Sequence, residues 1–131
     1  MSAIDEFVAK ARAGLDRPDP ARAQRLQEDG ALIVDIRPYA NRLAEGEIPG
    51  SVIVERIHLE WRLSPDSDWR LPQVDPDLTV IVMCNEGYSS SLAAADLQRL
   101  GLPRATDLDG GFRAWAEAGL PTREGGTPAV P

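Results

Sequence analysis

Four short, mainly apolar segments divide the chain, and each ends in polar or glycine-containing sequence. They cover residues 31–34, 51–54, 79–83 and 105–108. Ala31–Val34 is apolar throughout, which indicates burial on both faces, as parallel strands between helices require. Thr79–Met83 gives the strongest strand prediction. We therefore predict a β-strand in each of the four segments.

Stretches with a helical spacing of apolar residues precede, separate and follow these strands. The first runs from Ala3 to Ala13, and Asp19 and Pro20 supply an N-cap and a first-turn proline for the second. The predicted helices cover residues 3–13, 21–28, 39–45, 57–63, 89–100 and 112–118. Strands that alternate with helices predict an α/β fold, in which a parallel sheet carries helices on both faces.

Length, charge and cysteine content narrow the range of functions. The 131 residues suit one domain, and the formal net charge of -7 does not favour binding to nucleic acid or to a membrane, because both are anionic. A single cysteine excludes an internal disulfide, and we find no leader peptide or membrane-spanning run, so we expect a cytoplasmic protein. We expect no metal and no cofactor, since Cys and His clusters are absent.

Cys84, the one cysteine, has the position of a nucleophile. It follows the strand Thr79–Met83 and precedes a short glycine-containing turn that opens a helix. Open α/β sheets bind ligands at the carboxyl ends of their strands, and the amide N–H groups of such a turn favour an anion or a thiolate. Taken alone, a cysteine after an apolar strand is more often a small buried hydrophobic residue, so the flanking sequence decides.

Four motifs around this cysteine carry a family resemblance. They are Asp35-Ile36-Arg37, the stretch Gly46–Ser51, the strand that ends in Cys84 with its short loop, and Asp109–Trp115 followed by Gly119-Leu120-Pro121. In this order they resemble the motifs of a single-domain rhodanese-like sulfurtransferase. The resemblance implies a rhodanese-like domain over residues 15–121, with an N-terminal helical extension at 1–14 and a flexible C-terminal tail at 122–131.

The same resemblance implies sulfur transfer through a persulfide on Cys84. The donor is expected to be thiosulfate or another persulfide donor, and the acceptor cyanide or a thiol. Binding of a protein partner is left as an open alternative. The expected substrate-binding loop consists of Asn85, Glu86, Gly87, Tyr88, Ser89 and Ser90. Its N–H groups and the positive end of the next helix would lower the pKa of the thiol and hold a negative sulfur after transfer.

Side chains near the loop have expected supporting roles. One serine of the run 89–91 is expected to cap the helix. Asp35 and Arg37 are expected to form a structural pair behind the site, because a carboxylate beside Cys84 would oppose thiolate formation. Phe112 and Trp115 are expected to face the core.

Position 89 departs from the family pattern. Many active relatives carry an arginine five residues after the cysteine, and this chain has Ser89 there, with the acidic Glu86 close by. Thiosulfate is therefore expected to be a poor donor. The candidates for a replacement cation are Arg37, Arg56, Arg62 and Arg113, of which Arg56 and Arg62 flank a segment that could border the pocket.

Two other functions stay open. A non-catalytic rhodanese-like module would bind a partner, or would sense sulfur or redox state through Cys84, which the missing arginine favours. A phosphatase of the kind whose catalytic loop resembles a slightly longer rhodanese loop is disfavoured, because the loop of this chain is short and lacks an arginine to clamp the phosphate. His58, the sole histidine, is expected to be scaffold rather than a base for Cys84.

Overall fold

The computed structural model describes residues 1–131 and contains one sheet of four parallel strands. The strands are β1 (Leu32–Asp35), β2 (Val52–Ile53), β3 (Val80–Met83) and β4 (Ala105–Asp107), and their order in the sheet is β2-β1-β3-β4. The predicted parallel sheet is therefore confirmed. Three strands are shorter than predicted, and β1 is shifted by one residue, because pairing with a neighbour decides where a strand ends.

Six helices connect or flank these strands. They are α1 (Ala3–Arg12), α2 (Pro20–Glu28), α3 (Tyr39–Glu45), α4 (Leu59–Leu63) after a 3₁₀ turn at Arg56–His58, α5 (Ser89–Arg99) and α6 (Gly111–Glu117). Asp19 caps α2 as predicted, since its side chain accepts a hydrogen bond of 2.9 Å from the amide of Arg22. None of the helices combines the length and the apolar character needed to cross a bilayer.

Alternate side chains of the central strand β3 enter two separate cores. Val80 and Val82 pack with residues of α4 and α5 on one face of the sheet. Ile81 and Met83 pack on the other face with α2 and α6, which contribute the fully buried Phe112 and Trp115 among others. This alternation follows from the two-residue repeat of a strand, and it confirms the helices on both faces and the core-facing aromatic pair.

The strand register gathers polar residues at one edge of the sheet. Asp35 ends β1 opposite Met83, and Asp107 ends β4 opposite Val82. Both carboxylates therefore flank the end of β3, where Cys84 follows directly. Both aspartates are fully buried, so each must find hydrogen-bond donors within the protein.

The two ends of the chain pack on the domain. α1 lies against α5. Arg123 pairs with Glu47 in an antiparallel bridge, Arg42 donates to the carbonyl of Thr127 at 2.7 Å, and the amide of Val130 donates to the carbonyl of Ile53 at 2.9 Å. These contacts oppose fraying, and the flexibility predicted for residues 122–131 stays a prediction, as do the domain boundaries.

Candidate active site

The sulfur of Cys84 lies at the floor of a small cavity. The residue is only 8% exposed, and the cavity has a volume of about 360 Å³. The Gly87 amide donates to the sulfur at 3.3 Å, and the Ser90 hydroxyl lies 3.2 Å from it. Cavity-lining side chains include those of Arg37, Asn41, Glu86, Tyr88 and Ser89. Most of the residues that line the cavity are thus polar or charged, and one of its walls is the predicted loop.

Most amide groups of this loop have no acceptor within the protein. The N–H groups that make no hydrogen bond to a protein acceptor are those of Asn85, Glu86, Tyr88 and Ser89, while the amides of Gly87 and Ser90 bond to the Cys84 sulfur. They lie next to the N-terminus of α5, where the helix dipole also attracts negative charge. The loop therefore offers several hydrogen-bond donors to an anion bound in front of the cysteine.

Glycines make the tight path of this loop possible. Gly87 has φ 86°, and a Cβ there would lie 3.0 Å from the amide nitrogen of Gly110. A Cβ on Gly111 would lie 2.6 Å from the carbonyl oxygen of Cys84. That close approach lets the amide of Phe112 donate to the Cys84 carbonyl at 2.9 Å. The first turn of α6 thus fixes the start of the loop.

The serines at the start of α5 bind a buried carboxylate instead of capping the helix. Tyr88 is the N-cap residue, and no side chain caps the helix, so the predicted serine cap is wrong. The hydroxyls of Ser90 and Ser91 donate to Oδ2 of Asp107 at 2.7 and 2.8 Å. A buried carboxylate needs such donors more than a helix end that still faces solvent. Ser89 is exposed and lines the cavity.

Asp107 was not anticipated from the sequence. Its other oxygen, Oδ1, accepts from Nε of Arg17 at 2.9 Å, so the carboxylate is paired as well as hydrogen-bonded. A signal was present, because Asp107 ends the predicted strand at 105–108 and ligands gather where parallel strands end. The order of the strands, which sets β4 beside β3, was the missing information.

The hydrogen bonds around Cys84 favour its thiolate. Burial by itself raises the pKa of the thiol, but hydrogen bonds from Ser90, from the Ser89 hydroxyl and from the Gly87 amide outweigh it and bring the pKa below its ordinary value. Ser90 has one hydroxyl proton, with which it donates a hydrogen bond to Asp107 while the thiol is protonated. It can turn that proton to the thiolate, since Ser91 and Arg17 still bind the carboxylate.

Arg37 and Asp35 form a buried ion pair behind the cavity. The Nη2 and Nε atoms of Arg37 donate to the two oxygens of Asp35 at 2.8 and 3.1 Å. Arg37 also donates to the Gly46 carbonyl at 2.7 Å, and its guanidinium lies 4.1 Å from the ring centroid of Phe112. The expected pair is therefore present, and Arg37 is the one arginine among the residues that line the cavity.

The remaining candidate cations do not face Cys84. Arg113 pairs with Glu86 at 2.5 Å and with Glu45 at 3.1 Å. Arg56 pairs with Glu60, and Arg62 donates to the carbonyl of Trp69.

The suggestion that Arg56 and Arg62 border the pocket is wrong, because neither of them, nor any residue between them, lines the Cys84 cavity. His58 is exposed and lines a different cavity, as expected for scaffold.

Comparisons with known proteins agree with this geometry. A family model described as Rhodanese-like domain matches residues 19–118. Thiosulfate sulfurtransferase GlpE of Pseudomonas fluorescens (strain SBW25) is 38% identical over 99 residues, which cover 76% of this chain and 83% of that protein.

Two solved structures have similar folds. One is a protein of unknown function from Rhodopseudomonas palustris, named a possible tyrosine phosphatase, with a TM-score of 0.83 and 32% identity over 94% of this chain and 96% of that one. The other is the polysulfide-sulfur transferase homodimer of Wolinella succinogenes, with a TM-score of 0.73 and 25% identity over 89% and 84% of the two chains.

Proposed function

The chain belongs to the rhodanese-like domain family, and on this premise we propose that it is a sulfurtransferase that carries sulfane sulfur as a persulfide on Cys84. Relatives named as sulfurtransferases support the general activity. The observation that most supports the role of Cys84 is its surroundings. Its sulfur has a lowered pKa and faces a cavity beside loop amides that have no protein acceptor.

In the first half-reaction the Cys84 thiolate attacks the outer sulfur of the donor. With thiosulfate, a new S–S bond forms to Cys84, the sulfur–sulfur bond of the donor breaks, and its electron pair leaves with sulfite. The persulfide then carries a negative charge on its terminal sulfur. The free N–H groups of Tyr88, Ser89 and their neighbours are available to stabilise that charge.

In the second half-reaction a nucleophile removes the terminal sulfur. Cyanide attacks it through carbon, thiocyanate leaves, and the Cys84 thiolate returns with the bonding electron pair. A thiolate acceptor would leave as a persulfide in the same way. Asp35 and Arg37 support this chemistry by fixing the cavity wall, while the reacting atoms belong to Cys84 and the loop.

Thiosulfate is the donor named for several relatives, and we propose that this chain uses it weakly. Ser89 stands where an arginine would bind the dianion, and Arg37 is already committed to Asp35. Glu86 repels the thiosulfate dianion less than its sequence position indicates, because Arg113 pairs with it. A protein or small-molecule persulfide, which carries less charge, would depend less on a clamping cation.

The phosphatase named for the Rhodopseudomonas palustris neighbour is a weaker candidate for this chain. The loop from Cys84 to Ser90 contains no arginine, and transfer of a phosphoryl group needs strong stabilisation of its equatorial oxygens. A non-catalytic module that senses sulfur or redox state through Cys84 is the other alternative. It predicts modification of Cys84 without turnover.

Intact mass measurement tests the proposal. The reduced protein is incubated with thiosulfate, and separately with 3-mercaptopyruvate, and then with cyanide. We expect a gain of one sulfur atom that cyanide removes, and no gain in Cys84→Ala. A thiol that titrates normally but gains no sulfur from either donor would favour the sensing module. Release of phosphate from an aryl phosphate, dependent on Cys84, would favour the phosphatase.

A further inference from the structure

The carbonyl oxygen of Gly87, in the middle of the Cys84 loop, accepts hydrogen bonds from two arginines. Nη2 of Arg12 donates to it at 2.7 Å and Nη2 of Arg17 at 3.0 Å. Both arginines precede residue 19, where the match to the family model begins. The Cys84 loop is therefore held by two residues that lie outside the matched range.

The contacts of the Arg12 guanidinium are all with the Cys84 loop and the start of α5. Its Nε donates to Oγ of Ser91 at 3.1 Å, and its guanidinium lies 5.2 Å from the ring centroid of Tyr88. No carboxylate lies within ion-pair distance of Arg12. All three of its contacts are thus with the loop or with the first turn of α5.

Arg17 is fixed even more firmly. It is the only residue other than glycine with a positive φ, at 49°, a conformation that costs energy for a side chain with a Cβ. Its amide donates to Oγ1 of Thr106 at 2.7 Å, and its guanidinium reaches Asp107 and Asp109 as well as Gly87. Strained backbone persists only where surrounding contacts over-determine it, as they do here.

Holding the Gly87 carbonyl also sets the direction of the next amide. In a planar trans peptide the C=O and the following N–H point in opposite directions, so a carbonyl turned towards Arg12 and Arg17 turns the N–H of Tyr88 away from them. Tyr88 lines the Cys84 cavity, and its N–H has no protein acceptor. Arg12 and Arg17 therefore hold the peptide between Gly87 and Tyr88 in one orientation, from the side opposite to the Tyr88 N–H.

We propose that Arg12 and Arg17 are positioning residues for the Cys84 loop. By holding the Gly87 carbonyl they aim the Tyr88 amide at the cavity, and Arg12 adds the positive charge that the loop lacks at Ser89. The inference rests on the proposed function for its catalytic meaning, although the geometry of the loop and the reactivity of the thiol can be measured independently of sulfur transfer.

The balance of charges around Cys84 makes Arg12 distinctive. The charged groups that face the loop from the surrounding elements are Asp35, Arg37, Glu45, Glu86, Arg113, Asp107, Asp109, Arg17 and Arg12. Arg37 pairs with Asp35, Arg113 with Glu45 and Glu86, and Arg17 with Asp107 and Asp109, so these three arginines face five carboxylates. Arg12 is the one arginine of this set with no carboxylate within ion-pair distance, so its removal takes away a positive charge that no partner neutralises.

The decisive variant is Arg12→Gln, because it leaves the buried pair of Arg17 and Asp107 intact. Arg12→Lys keeps the charge, and Lys10→Gln is the control, an equal loss of charge from an exposed side chain of the same helix. For each protein we would follow alkylation of Cys84 by iodoacetamide across pH, persulfide formation from thiosulfate, and the thermal midpoint.

We expect Arg12→Gln to move the midpoint of the alkylation profile to higher pH by about one unit, so that alkylation slows about tenfold at a pH below both midpoints. Persulfide formation should slow on the order of ten- to a hundredfold, because a misaligned loop loses donors to the transferred sulfur. Arg12→Lys should restore the alkylation midpoint, and Lys10→Gln should match the unmodified chain.

An Arg12→Gln protein that is folded and keeps both the alkylation profile and the rate of persulfide formation would overturn the proposal. So would equal shifts in Arg12→Gln and Lys10→Gln, which would indicate a general effect of net charge. If the unmodified chain forms no persulfide from thiosulfate or from a persulfide donor, the proposed function fails, while the alkylation profiles still decide whether Arg12 positions the loop.

Discussion

Removing the hydroxyl of Ser90 should raise the pKa of the Cys84 thiol. Ser90→Ala deletes the group that lies 3.2 Å from the sulfur, while the burial of the sulfur persists. Burial favours the neutral thiol, and hydrogen bonds to Ser90 are the largest opposing influence on the pKa of Cys84. The variant therefore keeps the burial that raises the pKa of Cys84 and loses the side-chain hydrogen bond that lowers it most.

The size of the pKa change depends on the fact that the single hydroxyl proton of Ser90 can bond either to Asp107 or to the Cys84 sulfur. A hydrogen bond to a charged group contributes roughly 1.5 to 3 kcal/mol. In turning to the thiolate, Ser90 gives up its bond of 2.7 Å to Asp107, for which Ser91 and Arg17 only partly compensate. The net effect is then near the low end, about 1.4 kcal/mol, or about one pKa unit. At any pH below both pKa values the thiolate population falls about tenfold, and the deficit shrinks as the pH rises through them.

Ser51→Ala is a control for this experiment. It also removes a buried hydroxyl that donates one hydrogen bond, at 2.7 Å to the carbonyl of Ile48, but Ser51 makes no hydrogen bond to the sulfur or to the Cys84 loop. Each variant should lose about 1 kcal/mol of stability for one hydrogen bond. Because the chain has a single cysteine, the pH dependence of thiolate absorbance or alkylation reports on Cys84 alone. Equal pKa values in the two variants, or a lower value in Ser90→Ala, would refute the reasoning.

Two further substitutions test electrostatics, one at a buried ion pair of the fold and one at the Cys84 loop. Glu47 is fully buried, and although burial raises its pKa, hydrogen bonds from Thr127 and Arg42 keep that pKa below its ordinary 4.5. The carboxylate therefore stabilises the fold above about pH 4.5 and loses this contribution as the pH falls through the folded value. Glu47→Gln should cost roughly 3 kcal/mol at pH 7, because Arg42 loses its counter-charge, and should flatten the acid side of a plot of Tm against pH. An acid slope like that of the unmodified chain would contradict this. Ser89→Arg should raise kcat/KM for thiosulfate roughly fivefold, because an exposed ion pair gives up to about 1 kcal/mol. Unchanged or poorer use of thiosulfate would show that a missing cation does not limit this donor.

Local patterns in the sequence were sufficient to predict the helices and strands and the position of Cys84 at the end of a strand. Thr79–Met83 is apolar enough to predict a central strand, and Asp19-Pro20 marks the start of α2, because the physics of burial and of helix capping acts over a few residues. Cys84 at the end of that strand, with Gly87 in the turn, already indicated a loop of amide groups around a thiol. Asp35 and Arg37 could be expected to pair because they are two residues apart.

Only the tertiary structure decided what lies behind the loop. Asp107 reaches Ser90 across 17 positions of the chain and Arg12 reaches Gly87 across 75, and no local pattern encodes such contacts. The serines of the run 89–91 carry the sequence signature of a helix cap, yet two of them turn to Asp107, since a buried carboxylate must be satisfied.

The sequence by itself therefore determined the four strands, the position of Cys84 and the loop that follows it, because these depend on short-range burial and backbone geometry. The order of the strands and the packing of α1 on α5 determined the electrostatics of the site, because the energy of a charge depends on its neighbours in space.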